Sequence, residues 1–473
     1  MFLLDTRVFG VKWSNNQTFF KDTILNFLLI NLAEWEFFTN FALSESKTVR
    51  QPSLRLTRTF AFFAEAQQAK ASRAKILCNI YNKKVKKSAY ITMSNIVIKT
   101  VSNNKELKEF IRFHTELYKD SPTDIPYLEM GEIDTLRSDK NPAFAFCEAE
   151  YYIAYRDGKP VGRIAAIINK RANETWGLKA VRFGWFDFID DIEVSTALIN
   201  KVKEYGRARG LENIIGPLGF TDMDREGLQV SGFDYMASMH SNHNFAYYQE
   251  HMEKMGGFTK ENDWVQLEIK VPDEVPEKFA KVAAMIEKRY NLRARKMTKK
   301  ELVSGGMGKK FFDILNTCYS HLYNYSRLDD AQVDDLIKNY ISLADLNLIT
   351  IVVDDNRDGE MVGFGVSFPS FSEALKKTKN GKLLPFGWYH LLKALKFHDT
   401  KTVDLLLCGV LPEYRAKGAN ALIFKDLIQW YQKYGFEKAL ALPMMETNEG
   451  VLGQWQYLDS REVMRLRSYT AKL

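Results

Sequence analysis

The chain has 473 residues, 46% hydrophobic and 26% charged, with a formal net charge of +7. This mix suits two or three globular domains and excludes collagenous, low-complexity and wholly disordered chains. Residues 1–92 carry a net +8 and the remainder a net −1, so no global field steers the main body to a polyanion and no nucleic-acid partner is expected.

Cys78, Cys147, Cys318 and Cys408 are too dispersed for a disulfide framework or a zinc spacing. We expect a reducing, cytoplasmic setting. The apolar run at residues 23–33 is about half the roughly 20 residues needed to span a bilayer. Asp22, Glu34 and Glu36 flank it, and neither a membrane span nor a secretory signal is expected.

Residues 1–92 scatter Phe, Asn and Lys without a helix or strand period, and residues 83–87 form a basic run. We expect Met93 to be the native start, with residues 1–92 as upstream sequence. The alternative is a disordered basic extension that sits on acidic lipid or nucleic acid. From residue 93 the pattern changes. A strand is expected at 96–99, then an amphipathic helix at 105–118 with Leu107, Phe110, Ile111, His114 and Leu117 on one face. Arg156-Asp157-Gly158-Lys159 between β-rich runs reads as a hairpin turn. A strand at 181–187 and a helix at 195–210, with Leu198, Val202 and Tyr205 inward, lead to a buried strand before Pro217.

The loop 221–227 holds Asp222, Asp224 and Glu226. It reads equally as a lining that attracts a cationic amine or as a solvated, Asp-capped turn. His240 and His243 lack a third metal ligand at a recognised spacing, so no metal is expected. Residues 245–258 read as a last packing helix, and 264–271 as the strand that closes this half.

After a linker at 272–276 the pattern repeats. A helix at 277–290 and a strand at 292–296 precede Arg357-Asp358-Gly359, the counterpart of the first hairpin. The offset between copies grows further along, which places an insertion at 369–397. A buried strand at 405–410 then meets Pro412-Glu413-Tyr414, and Arg415-Ala416-Lys417-Gly418-Ala419-Asn420 opens a helix through Ile428. Free backbone N–H groups and the positive end of the helix dipole make such a turn an anion site. The corresponding strand in the first copy ends in Asp187, Asp190, Asp191 and Glu193, which would repel a pyrophosphate. A strand at 439–442 and a closing strand at 465–472 complete the second copy.

Arg415-x-x-Gly418-x-Asn420 after a buried strand resembles the pyrophosphate motif of the acyl-CoA N-acyltransferase (GNAT) superfamily, with Asn420 where a small residue is usual. Residues 216–220, 227–234 and 385–388 resemble uncharacterised bacterial two-copy members. The resemblance implies an α/β (α+β) fold: two tandem acyl-CoA N-acyltransferase-like domains, each a mixed, mostly antiparallel sheet flanked by helices. Residues 93–271 would be a degenerate copy and 272–473 the cofactor-binding one.

It further implies acetyl-CoA or another acyl-CoA as co-substrate, and a small-molecule or peptide amine as acceptor. Cys408, Gly409 and Val410 would offer backbone to the pantetheine arm. Arg415, Ala416, Lys417, Gly418, Ala419 and Asn420 would hold the phosphates, and Asn448 would orient the arm. Glu446 and Tyr457 are candidate base and acid, each balanced against an ordinary structural role. Two other functions stand beside this one: a non-catalytic module that senses acyl-CoA or docks a partner, and an enzyme like the peptide-bridge or lipid aminoacyl transferases.

Overall fold

In this computed structural model, which describes residues 96–473 except 304, 340, 342 and 343, the first half opens with β1 (Val97–Thr100) and helix α1 (Asn104–Leu117). The expectation for residues 1–92 lies outside the described residues. Asn103 caps α1 by accepting from the N–H groups of Lys105 and Glu106. Leu107, Phe110, Ile111 and His114 are buried on its inner face, with Leu117 half-buried beside them. Helix α2 (Glu129–Leu136) leads to the hairpin of β2 (Cys147–Arg156) and β3 (Lys159–Asn169). Asp157 (φ 51°) and Gly158 (φ 77°) make its turn, in the left-handed region that Asp-Gly tolerates. Strand β4 (Ala180–Phe188), helix α3 (Ile192–Arg207) and strands β5 (Asn213–Gly216) and β6 (Leu228–Ser231) follow, then α4 (Tyr247–Met255) and β7 (Thr259–Lys270).

The second half starts with α5 (Glu277–Tyr290), β8 (Leu292–Arg295), α6 (Met307–Tyr319) and α7 (Asp330–Asn339). Its hairpin joins β9 (Ile349–Asp354) to β10 (Glu360–Pro369), and a single 3-10 turn at Asp355–Arg357 lengthens the connection. The insertion folds as α8 (Ser372–Lys376) and α9 (Gly387–Phe397). Strand β11 (Thr402–Val410), helix α10 (Asn420–Tyr434), and strands β12 (Lys438–Met445) and β13 (Ser460–Lys472) end the chain. The helix expected from residue 415 begins only at Asn420, because Gly418 (φ 82°) breaks the run after the short turn Pro412–Arg415.

All thirteen strands join one mixed sheet in the order β1-β2-β3-β4-β5-β13-β7-β12-β11-β10-β9-β8, with β6 added on β13. Among the described residues only β4–β5 and β11–β12 pair in parallel, and in both cases a helix crosses between them. The order is symmetric about the β13–β7 pair, and the two halves exchange their last strands. The strand expected to close the first copy is β7, yet it lies against β12 of the second. The strand expected to close the second is β13, and it lies against β5 of the first.

The seam ladder runs from Ser460 opposite Ile269 to Thr470 opposite Thr259. On it Asp263, 1% exposed, faces Arg467 and accepts from its Nε at 2.7 Å and Nη2 at 2.9 Å. Lys260 and Arg465 approach the same carboxylate at 3.2 and 3.5 Å. Burial alone would raise the Asp263 pKa, but the hydrogen bonds from Arg467 and Lys260 hold it below the usual range. Trp264, Met445, Met464, Leu466, Ile215 and Leu218 form an apolar cluster drawn from both halves.

The seam is therefore expected to carry stability for the whole chain. Asp263→Ala should cost about 3 kcal/mol in urea unfolding, because it leaves cations without their buried counter-charge. A loss below about 1 kcal/mol would mean that the ladder holds without this pair.

Candidate functional site

The parallel pair β11–β12 stays in register from Thr402 opposite Lys438 to Leu405 opposite Ala441. Beyond that point the strands part. Among the described residues, no strand pairs with β11 on that side from Leu406 to Val410. Its other edge stays paired, with Gly365 opposite Cys408, Phe364 opposite Gly409 and Gly363 opposite Val410. A side chain at Gly409 would strike the Phe364 ring at 2.9 Å. The gap is thus lined by backbone N–H and C=O groups of β11, able to bond an extended amide chain as a missing strand would.

The turn after β11 is braced from below. Tyr414 is buried and donates to Asp354 Oδ2 at 2.8 Å. Arg415 donates through Nε to the Val410 carbonyl at 3.0 Å and through Nη2 to the Cys318 carbonyl at 3.4 Å. Its guanidinium is thus engaged in holding the turn. Lys417 Nζ sits 4.1 Å from the centre of the Tyr414 ring. Ala416 is exposed, and Ala419 is buried at the N-cap of α10. No side chain caps α10 and no acidic residue occupies its first turn. Alanine is a poor N-cap, and the Ala421 and Leu422 N–H groups turn back to the carbonyls of Gly418 and Ala419 at 2.9 and 3.2 Å, so what this 15-residue helix offers an external anion at its start is chiefly its dipole. Asn420 donates to Gln454 Oε1 at 3.1 Å and points along the surface toward the next loop.

The remaining sequence candidates have structural partners. Asn448 caps the short turn Glu449–Leu452, accepting from Val451 N–H at 3.4 Å. Glu446 is ion-paired with Lys260 and with Arg465, the latter at 3.0 Å, so both its oxygens are occupied. Tyr457 is 55% exposed, with Lys278 Nζ over its ring at 3.1 Å. Burial pushes the Cys408 thiol up to about 12, which keeps it protonated at neutral pH and a weak nucleophile.

In the first half the equivalent gap is closed. Strands β4 and β5 pair from Ala180 opposite Asn213 to Arg182 opposite Ile215 and then part. The chain leaving β5 fills the space: Leu218 N–H donates to the Phe183 carbonyl at 2.8 Å. Arg182 and Asn169 bond the carbonyls of Gly219 and Phe220 at 3.1 and 2.8 Å. The start of α3 is also occupied. Asp191 accepts from Glu193 N–H at 2.9 Å and is ion-paired to Arg156 at 2.6 Å.

Two polar clusters lie apart from this turn, and the first of them escaped the sequence reading. In the first, His114 is fully buried on α1, with Nδ1 3.2 Å from Asp187 Oδ2 and Nε2 3.2 Å from Asp124 Oδ1. Arg163, also fully buried, donates to Asp187 at 2.7 Å. The Tyr127 ring stacks on His114 at 4.0 Å and under Arg225 at 3.6 Å. His114 was read only as one of five residues on an amphipathic face, and nothing local showed that Asp187, 73 residues away, lies beside it.

The second cluster is the loop 221–227, whose neighbours lie in the other half. Ser326 N–H donates to Asp222 Oδ2 at 3.0 Å. Arg182 Nη2 donates to Asn324 Oδ1 at 3.0 Å. Burial and mutual repulsion push the Asp222 and Glu226 carboxyls up together, against the pull of Arg182. Asn324 is 1% exposed, and among the described residues no acceptor meets its Nδ2. His240, pushed down to about 4 chiefly by burial, and His243, lowered by the same cause, join no metal-ligand cluster among the described residues.

No protein-family model matches the chain. It is similar to Protein YghO of Escherichia coli (strain K12), 27% identical over 402 residues, covering 81% of this chain and 98% of that protein. It is also similar to Bacterial ceramide synthase of Caulobacter vibrioides (strain NA1000 / CB15N), 28% identical over 353 residues, covering 74% and 88%. Among solved structures, a tandem GNAT protein from the clavulanic acid biosynthesis pathway matches at 12% identity, with 80% and 98% of the chains covered and a TM-score of 0.47. A GCN5-related N-acetyltransferase from Sphaerobacter thermophilus matches at 11% identity, with 80% and 95% covered and a TM-score of 0.46.

The His114 network carries a pH signature. Burial pushes His114 down, but the charges of Asp187 and Asp124 outweigh it and its pKa is raised. Its contribution to stability is full below the ordinary histidine value of about 6.5 and is lost as pH rises through the raised value. Asp187 behaves oppositely. Burial pushes it up, Arg163 and His114 hold it far down, and its contribution is present above about 3.9 and lost in acid. Asp187→Asn should cost about 3–5 kcal/mol. It should also flatten the alkaline fall of the thermal midpoint, measured from pH 5 to 9. An unchanged alkaline limb would show that His114 does not titrate in this way.

Proposed function

We propose that this chain is an N-acyltransferase that takes its acyl group from acyl-CoA bound in the second half. The observation that carries the proposal is the coincidence of an open strand gap with an uncapped, acid-free helix start at its end. In this reading Leu406 to Val410 bond the pantetheine arm through their backbone. Gly418, Ala419 and Asn420 receive the pyrophosphate, while Arg415 holds the turn and Lys417 adds charge. The first half, its own gap filled by residues 217–220, supplies a wall of the acceptor cleft.

The acceptor is an amine. Its nitrogen attacks the thioester carbonyl, a C–N bond forms, the C–S bond breaks, and the sulfur leaves as a thiolate that takes up a proton. The geometry favours the Asp222–Glu226 pair over Glu446 as proton acceptor, because Glu446 is ion-paired on both oxygens. Burial raises both carboxyls, and the Asp222 charge raises Glu226 further, so this pair holds a proton more readily than an exposed carboxylate does. Asn324 Nδ2 offers the acceptor an unused donor in the same cluster.

Acetyl-CoA is the donor that the sequence resemblance implies. The relative called a ceramide synthase points instead to a long acyl chain and a long-chain amino alcohol, since a ceramide is a fatty amide of such an alcohol.

Calorimetric titration of the full chain with acetyl-CoA and with longer acyl-CoAs decides the donor. We expect micromolar binding that Gly418→Glu abolishes, since a carboxylate there repels the phosphates and φ 82° strains any side chain. Failure of every acyl-CoA to bind the folded protein would reject the assignment. With the donor known, thiol release over simple and long-chain amines tests turnover. Glu226→Gln should lower kcat by about 10²–10⁴ and erase the acid limb of the pH–rate profile. Tight binding with no turnover on any amine would favour the sensing module.

A further inference from the structure

The insertion between β10 and β11 presents an apolar face outward. Eleven large apolar side chains are exposed among the described residues, and six of them lie in this one segment: Leu384, Phe386, Trp388, Tyr389, Leu392 and Phe397, between 40% and 74% exposed. Single exposed apolar residues need no explanation, but a cluster of this kind marks an interaction surface. Its helix is amphipathic in the reverse sense. Gly387, Leu391 and Ala394 face inward at helical spacing, with Leu391 packed by the cluster of Ile125, Ala237 and Leu375. Tyr389 and Leu392 lie on the opposite side with Trp388 flanking them, so the apolar outer face adds nothing to the core.

The segment is held firmly from beneath. Glu129 N–H donates to the Gly381 carbonyl at 3.1 Å, Lys382 pairs with Glu129 at 4.0 Å, and Lys376 bonds the Pro122 carbonyl. Gly381 (φ 70°) abuts the Tyr127 carbonyl so closely that no side chain would fit.

We propose that this face docks on the headgroup layer of an anionic phospholipid membrane. Residues 370–400 contain six lysines against one Glu and one Asp, so the apolar cluster is framed by positive charge. Lys377 and Lys379 are exposed beside it. Trp and Tyr are the side chains that favour a bilayer interface, and lysines near it add attraction to acidic lipid. Helix α9 has 11 residues, about 16 Å of length against a hydrocarbon core of about 30 Å, so it lies in the interface and does not cross. A second copy of this chain is a poorer occupant, because two such faces would bring their lysines together and lysine is depleted at protein interfaces.

The surface is independent of the proposed chemistry. It is tested on the full chain by flotation with vesicles of phosphatidylcholine alone or mixed with phosphatidylglycerol. Binding is expected only with the anionic lipid, with a blue shift of tryptophan emission that Trp388→Phe diminishes. The double variant Phe386→Ser/Leu392→Ser should weaken binding at least tenfold with an unchanged thermal midpoint. Lys377→Glu/Lys379→Glu should weaken it and its salt dependence together. Equal flotation of wild type and both double variants, or none by wild type, would overturn the proposal. So would self-association in light scattering that the Phe386→Ser/Leu392→Ser variant abolishes without any vesicle binding.

Discussion

The ladder between β7 and β13 is the constraint on which the rest of the molecule depends. Each of these strands comes from one half and serves the sheet of the other. The exchange has a local consequence at the candidate site. After Ala441, β12 leaves β11 and follows β7, with Met444 opposite Val265 and Met445 opposite Trp264. One wall of the gap is thus β12, which a first-half strand holds along its other edge. Long-range pairing of this kind delays its reward until most of the chain is made, because the closing partner of β5 is the last strand of the sequence.

The two halves repeat an architecture but differ in electrostatics. In both, a parallel pair parts and a helix begins near the opening. At α3 the helix start is satisfied internally by Asp191, which Arg156 holds in turn. At α10 the cap is Ala419 and the first turn carries no acid. The first N–H groups there turn back to the carbonyls of Gly418 and Ala419, and no carboxylate of the first turn offsets the helix dipole. The same division appears in the gaps themselves, one filled by Leu218 and its neighbours and the other, among the described residues, left without a strand partner from Leu406 to Val410.

Much of this was legible in local patterns. The Asp-Gly turns, the inward faces of residues 105–118 and 195–210, and the helix at 277–290 were readable because each depends on neighbours a few residues away. The mixed, mostly antiparallel character of the sheet came from the family resemblance and not from local patterns, and the two copies share one such sheet. The strand exchange was not readable, since 264–271 pairs as well in pattern with its own half as with the other. The His114–Asp187–Arg163 network was hidden for the same reason: three residues on α1, β4 and β3 meet only after the sheet forms. Side chains read as free at the turn proved to be engaged, Arg415 by backbone carbonyls and Asn448 by its own cap, because a sequence motif records residue type and not where a side chain is already spent.

The position of the acidic loop follows from the same exchange. Residues 217–227 fill the first-half gap and then turn toward the second half, where Ser326 anchors Asp222. Arg182 stands between that loop and Asn324, so carboxyls from one half and an unpaired amide donor from the other share one cation. A buried amide donor without an acceptor is costly, and such groups persist where a bound molecule completes them. The cluster therefore combines buried carboxyls, a guanidinium beside them, a donor in reserve, and walls from both copies. Neither half contains these parts alone; the cluster exists only because both halves join in a single sheet.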